Sequence, residues 1–251
     1  MKNRNFLMII GDVIFIMVLI FELVSCSAGS KSRGSDVMLQ VSQLPTSLDK
    51  AESIGVYTSG TNLVIKSGTQ VYDVIYPYSG SAIDASPYKG TAWNIGIRVN
   101  GYEVGTVDFP ANGVLGTIAI AAPSDDNILM DVSGFFEYMF GLTQPINSYF
   151  TEGADVLIGQ LELGDCAIVA PNAFFQDGDF VSGESYIYFY SKGDVTIQLP
   201  LTQGKYNNFV EIDIQYKAGW NCISYSESGN TTTIVSKNPP ADARWVVYVT
   251  G

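Results

Sequence analysis

The chain contains no histidine. Ser-His-Asp and Cys-His catalysis, histidine-ligated zinc and most general-base schemes near neutral pH are thereby excluded, while carboxylate chemistry stays open. Cysteine is scarce, with Cys26, Cys166 and Cys222 alone. Two thiols beyond Cys26 cannot build a thiolate metal cluster. Charge is sparse and of one sign: 13 Lys and Arg stand against 25 Asp and Glu, giving a net charge of −12. Such a surface repels nucleic acid and favours solubility, a cation or a basic partner. Phosphate loops, nucleophile elbows and metalloprotease motifs are missing as well. These absences lead to the expectation of a non-enzymatic protein with no cofactor, no metal, no nucleic-acid partner and no catalytic residues.

The N-terminus carries a different message. Lys2 and Arg4 precede an apolar stretch that is interrupted at Gly11 and Asp12 and then runs unbroken for nine residues, Val13 to Phe21. Nine residues match the apolar region of an export signal but fall well short of the ~20 needed to span a bilayer as a helix. Asp12 would also be costly in a lasting anchor, by roughly 2.5–3.5 kcal/mol near a helix centre. Leu23-Val24-Ser25-Cys26 follows. This tetrapeptide, with the signal before it, resembles the lipobox of bacterial lipoproteins. The resemblance covers these residues only, and Glu22 beside the box and Asp12 within the signal depart from the usual pattern. It implies a signal peptide over 1–25, cleavage before Cys26 and lipidation of Cys26, with fatty acyl chains (palmitate in type) holding the protein to a membrane. Two or three chains give durable attachment where one binds only marginally. The expected location is the bacterial cell envelope, at the outer membrane or cell surface rather than the inner membrane. The small polar residues that follow, within 26–36, read as a flexible tether reaching roughly 17 Å.

Beyond the tether the composition turns globular, at 47% AVILMFWYC and 12% aromatic. Short runs rich in Val, Ile, Thr, Tyr and Phe alternate with period two and are bounded by Gly, Asn, Asp, Pro and Ser, the pattern of antiparallel strands. Trp93 to Val99, Asn100-Gly101, then Tyr102 to Val107 form the clearest hairpin, because a type I′ turn needs φ > 0 at both central residues. Simple pairing sets Val99 against Tyr102, Ile97 against Val104 and Ile95 against Thr106. Further strands are expected at 54–57, 62–65, 71–76, 117–121, 156–163, 167–170, 185–190, 195–199, 209–216, 220–225, 231–235 and 244–249. Ile128 to Leu142 breaks the rhythm and reads as a short helix, capped by Asp131 or Ser133, with Phe135, Phe136, Met139 and Phe140 on its apolar side. The expected fold is all-β: two antiparallel β-sandwich-like halves, immunoglobulin-like or jelly-roll-like, over 37–122 and 156–251, joined by 123–155. A single larger sandwich with a helical crossover is the alternative.

Candidate sites are few. Tyr186, Tyr188 and Tyr190 share one face of a strand. They form a contact surface for a glycan or an envelope protein if that face meets solvent, and part of a core rim if it does not. Cys166 and Cys222 are a candidate disulfide in an oxidising compartment, or two buried thiols. Asp177-Gly178-Asp179 offers two carboxylates to Ca²⁺ but lacks the spacing of an EF-hand, and a plain turn accounts for it. Asp125 with Asp126 has no stronger claim, and Asn230-Thr231-Thr232 is a sequon of little weight in a bacterial chain. Three functions follow: an envelope lipoprotein acting by contact, a carbohydrate-binding accessory protein, and, least supported, a carboxylate-based glycan hydrolase with paired acids across a cleft.

Overall fold

In the computed structural model the described residues are 54–74, 85–142, 145–176, 179–204 and 208–248. Cys26, the expected signal and tether around it, and Asp177 with Gly178 lie outside them.

Asn100 and Gly101 adopt φ of 47° and 76°, the left-handed pair that their hairpin demands. The hairpin joins β5 (Trp93–Val99) to β6 (Tyr102–Phe109). Val99 pairs with Tyr102 as expected, but a bulge between Ile97 and Arg98 shifts the rest, so Ile97 faces Gly105 and Ile95 faces Val107. The simple register beyond the turn is therefore corrected by one residue. A bulge sets two residues against one, and alternation along a single strand does not report it. Ile95, Ile97 and Val99 are all buried, so the face assignment holds.

Before this hairpin come β1 (Val56–Ser59), β2 (Asn62–Ile65), β3 (Thr69–Val74) and β4 (Ala85–Pro87). After it come β7 (Val114–Leu115), β8 (Ile118–Ile120) and β9 (Met130–Asp131). Helix α1 (Val132–Phe140) follows directly. Asp131 caps it, its Oδ1 accepting the Gly134 N–H at 2.7 Å, and Gly141 ends it at φ 51°. The helix is shorter than 128–142 because Asp125 caps a separate 3-10 turn at Asp126–Ile128, and Met130–Asp131 is held as a strand against the chain at 157–158. The remaining strands are β10 (Phe150–Glu152), β11 (Leu157–Leu163), β12 (Cys166–Val169), β13 (Phe174–Gln176), β14 (Asp179–Ser191), β15 (Val195–Gln203), β16 (Phe209–Tyr216), β17 (Gly219–Ser228), β18 (Thr231–Ser236) and β19 (Arg244–Tyr248).

The fold is all-β and sandwich-like, with a small sheet β1-β2-β8 and a large mixed sheet whose path runs β10-β15-β16-β18-β17-β14-β11-β12-β19-β3-β4. Hydrogen bonding crosses the segment 123–155: β5 pairs with β11, and β3 pairs with β19. Two pairings, β16 with β18 and β19 with β3, are parallel. Parallel neighbours need long connections, so nothing local in the sequence announces them.

The central strands of the large sheet bury both faces. On β14, Phe189 joins a core with α1, β15 and β16, whereas Tyr186 and Tyr188 join a second core with β2, β3 and β5. On β19, Val246 goes to the first core and Trp245 and Val247 to the second; on β12, Val169 and Ile168 divide the same way. Successive side chains on a strand point to opposite faces, so a strand covered on both sides needs apolar residues at every position. Tyr-Ile-Tyr-Phe-Tyr over 186–190 is that kind of run. Among the described residues no helix is long and apolar enough to cross a membrane.

Candidate functional site

The tyrosine strand does not present a contact face. Tyr186 and Tyr188 are 3% and 7% exposed, and Tyr190 is half-buried, edge-on to Trp220 at 5.6 Å. The exposed-strip reading is corrected here, because β14 lies between β17 on one side and β11 and β12 on the other, with a core on each face. The Tyr186 hydroxyl donates to the Glu184 carboxylate, which Lys237 Nζ also bonds at 2.6 and 2.7 Å. Burial pushes Glu184 up, but the Lys237 ammonium and the Tyr186 hydroxyl outweigh it and hold the carboxyl below its usual range. Tyr186 is pushed up by burial and by that same carboxylate.

Cys166 and Cys222 are free thiols, the first half-buried and the second buried. The disulfide is corrected as well. Their strands β12 and β17 both pair with β14 and lie on either side of it. Two interstrand spacings set the thiols' backbones about 9–10 Å apart, beyond the roughly 7 Å a disulfide spans. Burial pushes both thiols up to about 12. Neither is a thiolate at neutral pH, so neither is poised as a nucleophile.

Carboxylates with raised pKa occur on three separate strands. Asp73 on β3 is pushed up by burial against a single backbone N–H from Lys89. Burial raises Glu162 on β11 despite the Arg98 charge and the Gly101 N–H, and it raises Glu227 on β17 despite the Tyr225 hydroxyl. Asp125 is spent on capping, accepting from Asn127 N at 3.0 Å and Nδ2 at 2.7 Å, and Asp126 pairs with Lys192. Asp179 opens β14 opposite Gln176, and Asn230 sits in the turn between β17 and β18. Among the described residues no group of three or more acids and cysteines is placed to hold a metal ion.

A concave feature lies elsewhere, where the two ends of the described chain meet. The parallel pairing of β19 with β3 sets Trp245 beside Val71, and Trp245 Nε1 donates to the Ile54 carbonyl at 2.8 Å. The β2–β3 turn, Lys66-Ser67-Gly68, forms the rim, braced by Thr69 Oγ1 donating to the Lys66 carbonyl at 2.7 Å. Between the turn, β3 and the start of β19 opens a cleft of about 380 Å³, lined by Lys66, Thr69, Gln70, Tyr72 and Arg244 among others. Trp245 and Val71 face the core, so their neighbours Arg244 and Tyr72 take the outer face, where the guanidinium lies 5.9 Å from the Tyr72 ring centroid. Among the described residues no carboxylate lines the cleft. Asp73, Glu162 and Glu227 all lie outside it, so the raised acids and the concavity do not coincide.

Sequence reasoning missed this cleft. Lys66 and Arg244 stand near opposite ends of the folded chain, and only the parallel β3–β19 pairing brings them together.

Comparison with protein-family models, with curated proteins and with solved structures finds no match to this chain.

Proposed function

We propose that this protein is a lipid-anchored component of the bacterial cell envelope whose β body works by contact, as a binding or structural module, rather than by catalysis. The observation that carries the reading is the junction at Leu23-Val24-Ser25-Cys26, placed directly after an export signal and directly before a polar tether. Acyl chains on Cys26 supply the membrane attachment. The folded body supports a contact role in two ways. Its remaining thiols are neutral, and its raised carboxylates sit apart, each with its own partner, instead of facing one another across a cleft. A glycosidase needs that facing pair. The partner classes are a glycan or another envelope protein.

The experiment compares the full-length chain with Cys26→Ala in a bacterial host. The expected result is membrane-associated native protein, an acyl mass on the N-terminal peptide beginning at Cys26, and an unprocessed or soluble variant. Equal solubility of both, with no acyl mass, overturns the anchor. Turnover of a glycan or peptide by the purified chain overturns the non-enzymatic reading.

A further inference from the structure

We propose that the cleft between the β2–β3 turn and β19 binds a carboxylated sugar, with Arg244 and Lys66 gripping the carboxylate and the Tyr72 ring packing against the sugar. This deepens the contact role proposed above and rests on it, but it does not depend on lipidation of Cys26.

Charge supports it first. In a chain of net charge −12, three lysines are neutralised by neighbouring acids, in the pairs Lys192–Asp126, Lys217–Asp194 and Lys237–Glu184. Lys66 and Arg244 have no carboxylate partner among the described residues, and both line this cleft. Two unpaired cations at one concavity form a local positive site within a negative field, which draws in small anions while the rest of the surface repels them.

Donor geometry then selects the anion. Arg244 Nη1 donates to the Asp242 and Ala243 carbonyls at 2.7 and 3.2 Å, which anchors one nitrogen of the fork and fixes the plane of the guanidinium. The other nitrogens retain donors for the planar, two-point grip that a carboxylate accepts. A phosphate site of the usual kind adds a nest of backbone N–H groups. Here the turn spends all but the Ser67 N–H, too few for a nest: Lys66 N donates to Gly55 O at 2.6 Å, Gly68 N to Leu115 O at 2.8 Å and Thr69 N to Lys66 O at 3.2 Å. Recognition falls mainly to side chains, which favours a carboxylate over a phosphate.

Size and lining favour a sugar. About 380 Å³ exceeds what a bare anion fills and falls within the range of small-ligand sites, roughly 300–1,000 Å³. Tyr72 offers a ring for the C–H face of a pyranose, and the Ser67 hydroxyl and Gln70 Oε1 offer polar atoms for its hydroxyls, Gln70 Nε2 being spent on the Val71 carbonyl at 2.7 Å. A uronic acid combines these needs in one ring.

The test uses the full chain, purified in detergent, and titration calorimetry at low ionic strength with digalacturonate, its methyl ester and inorganic phosphate. Digalacturonate is expected to bind, and the ester and phosphate to bind at least tenfold more weakly. Lys66→Gln and Arg244→Gln should each weaken digalacturonate by roughly ten- to a hundredfold, the worth of a charge-assisted hydrogen bond. Arg244→Lys keeps the charge but loses the fork, and should fall in between at an unchanged melting temperature. It guards against misreading a folding defect in Arg244→Gln. Cys26→Ala should bind as the parent does, which separates this result from the fate of the lipid anchor. Absent binding at millimolar digalacturonate, equal binding of the ester or of phosphate, or indifference to both Gln substitutions at unchanged stability overturns the proposal.

Discussion

Replacing Asn100 tests how a turn residue became a structural centre. The Asn100 side chain is 1% exposed and makes three hydrogen bonds. Nδ2 donates to the Ile128 and Ile158 carbonyls at 2.9 and 3.1 Å, and Oδ1 accepts from the Gln160 N–H at 2.8 Å. The hairpin tip is thereby bolted to β11 and to the loop before α1. Asn100→Ala removes all three bonds. A buried group left without its partner costs about 1–3 kcal/mol, but a carbonyl with a second hydrogen bond loses less, so about 2–4 kcal/mol is the expected sum. Alanine at φ 47° adds about 1–2 kcal/mol more, since its Cβ crowds the following carbonyl oxygen in the left-handed region. The total, about 3–6 kcal/mol, corresponds to a fall of roughly 6–24 °C in melting temperature for a body of this size. Asn100→Gly loses the same bonds without the steric term and should melt above Asn100→Ala. Scanning calorimetry of the full chain reads both variants. An Asn100→Ala melting within about 2 °C of the parent refutes the reasoning, and so does a glycine variant less stable than the alanine one.

Two further outcomes follow from the buried ionisable groups. The folded pKa of Glu227 is raised by burial, so its contribution to stability is present below the unfolded value of about 4.3 and lost as pH climbs through the folded value. Glu227→Gln should therefore be more stable than the parent at pH 7, with the difference closing near pH 4; melting temperatures across pH 4–7.5 check this, and a difference independent of pH contradicts it. Cys166 and Cys222, as neutral thiols, the first half-buried and the second buried, should react slowly with alkylating agents in the native protein, Cys222 the more slowly, and both should react in denaturant without prior reduction. A mass two units low with no alkylation of the denatured chain would show a disulfide instead.

Much of the secondary structure was legible because it is local. Asn62–Ile65 and Phe209–Tyr216 form strands with the bounds their alternation indicates, and Asp131 caps α1 as its position before an aromatic run suggests. Period two, left-handed φ at Asn-Gly and an N-capping carboxylate all act within a few residues, so the sequence carries them directly. Long-range decisions were different. Alternation over Tyr186–Tyr190 fixes which side chains share a face but not what covers that face, and two cores turned a candidate contact strip into interior. Cys166 and Cys222 were legible as either a disulfide or two unpaired thiols, and β14 lying between their strands decides for the thiols. The sequence by itself determined an all-β body, and it alone carries the proposal of a lipid anchor at Cys26. Only tertiary structure decided that Lys66, Tyr72 and Arg244 would line one cleft, because a parallel pairing joins residues far apart in the chain, and no local pattern encodes where a distant strand will dock.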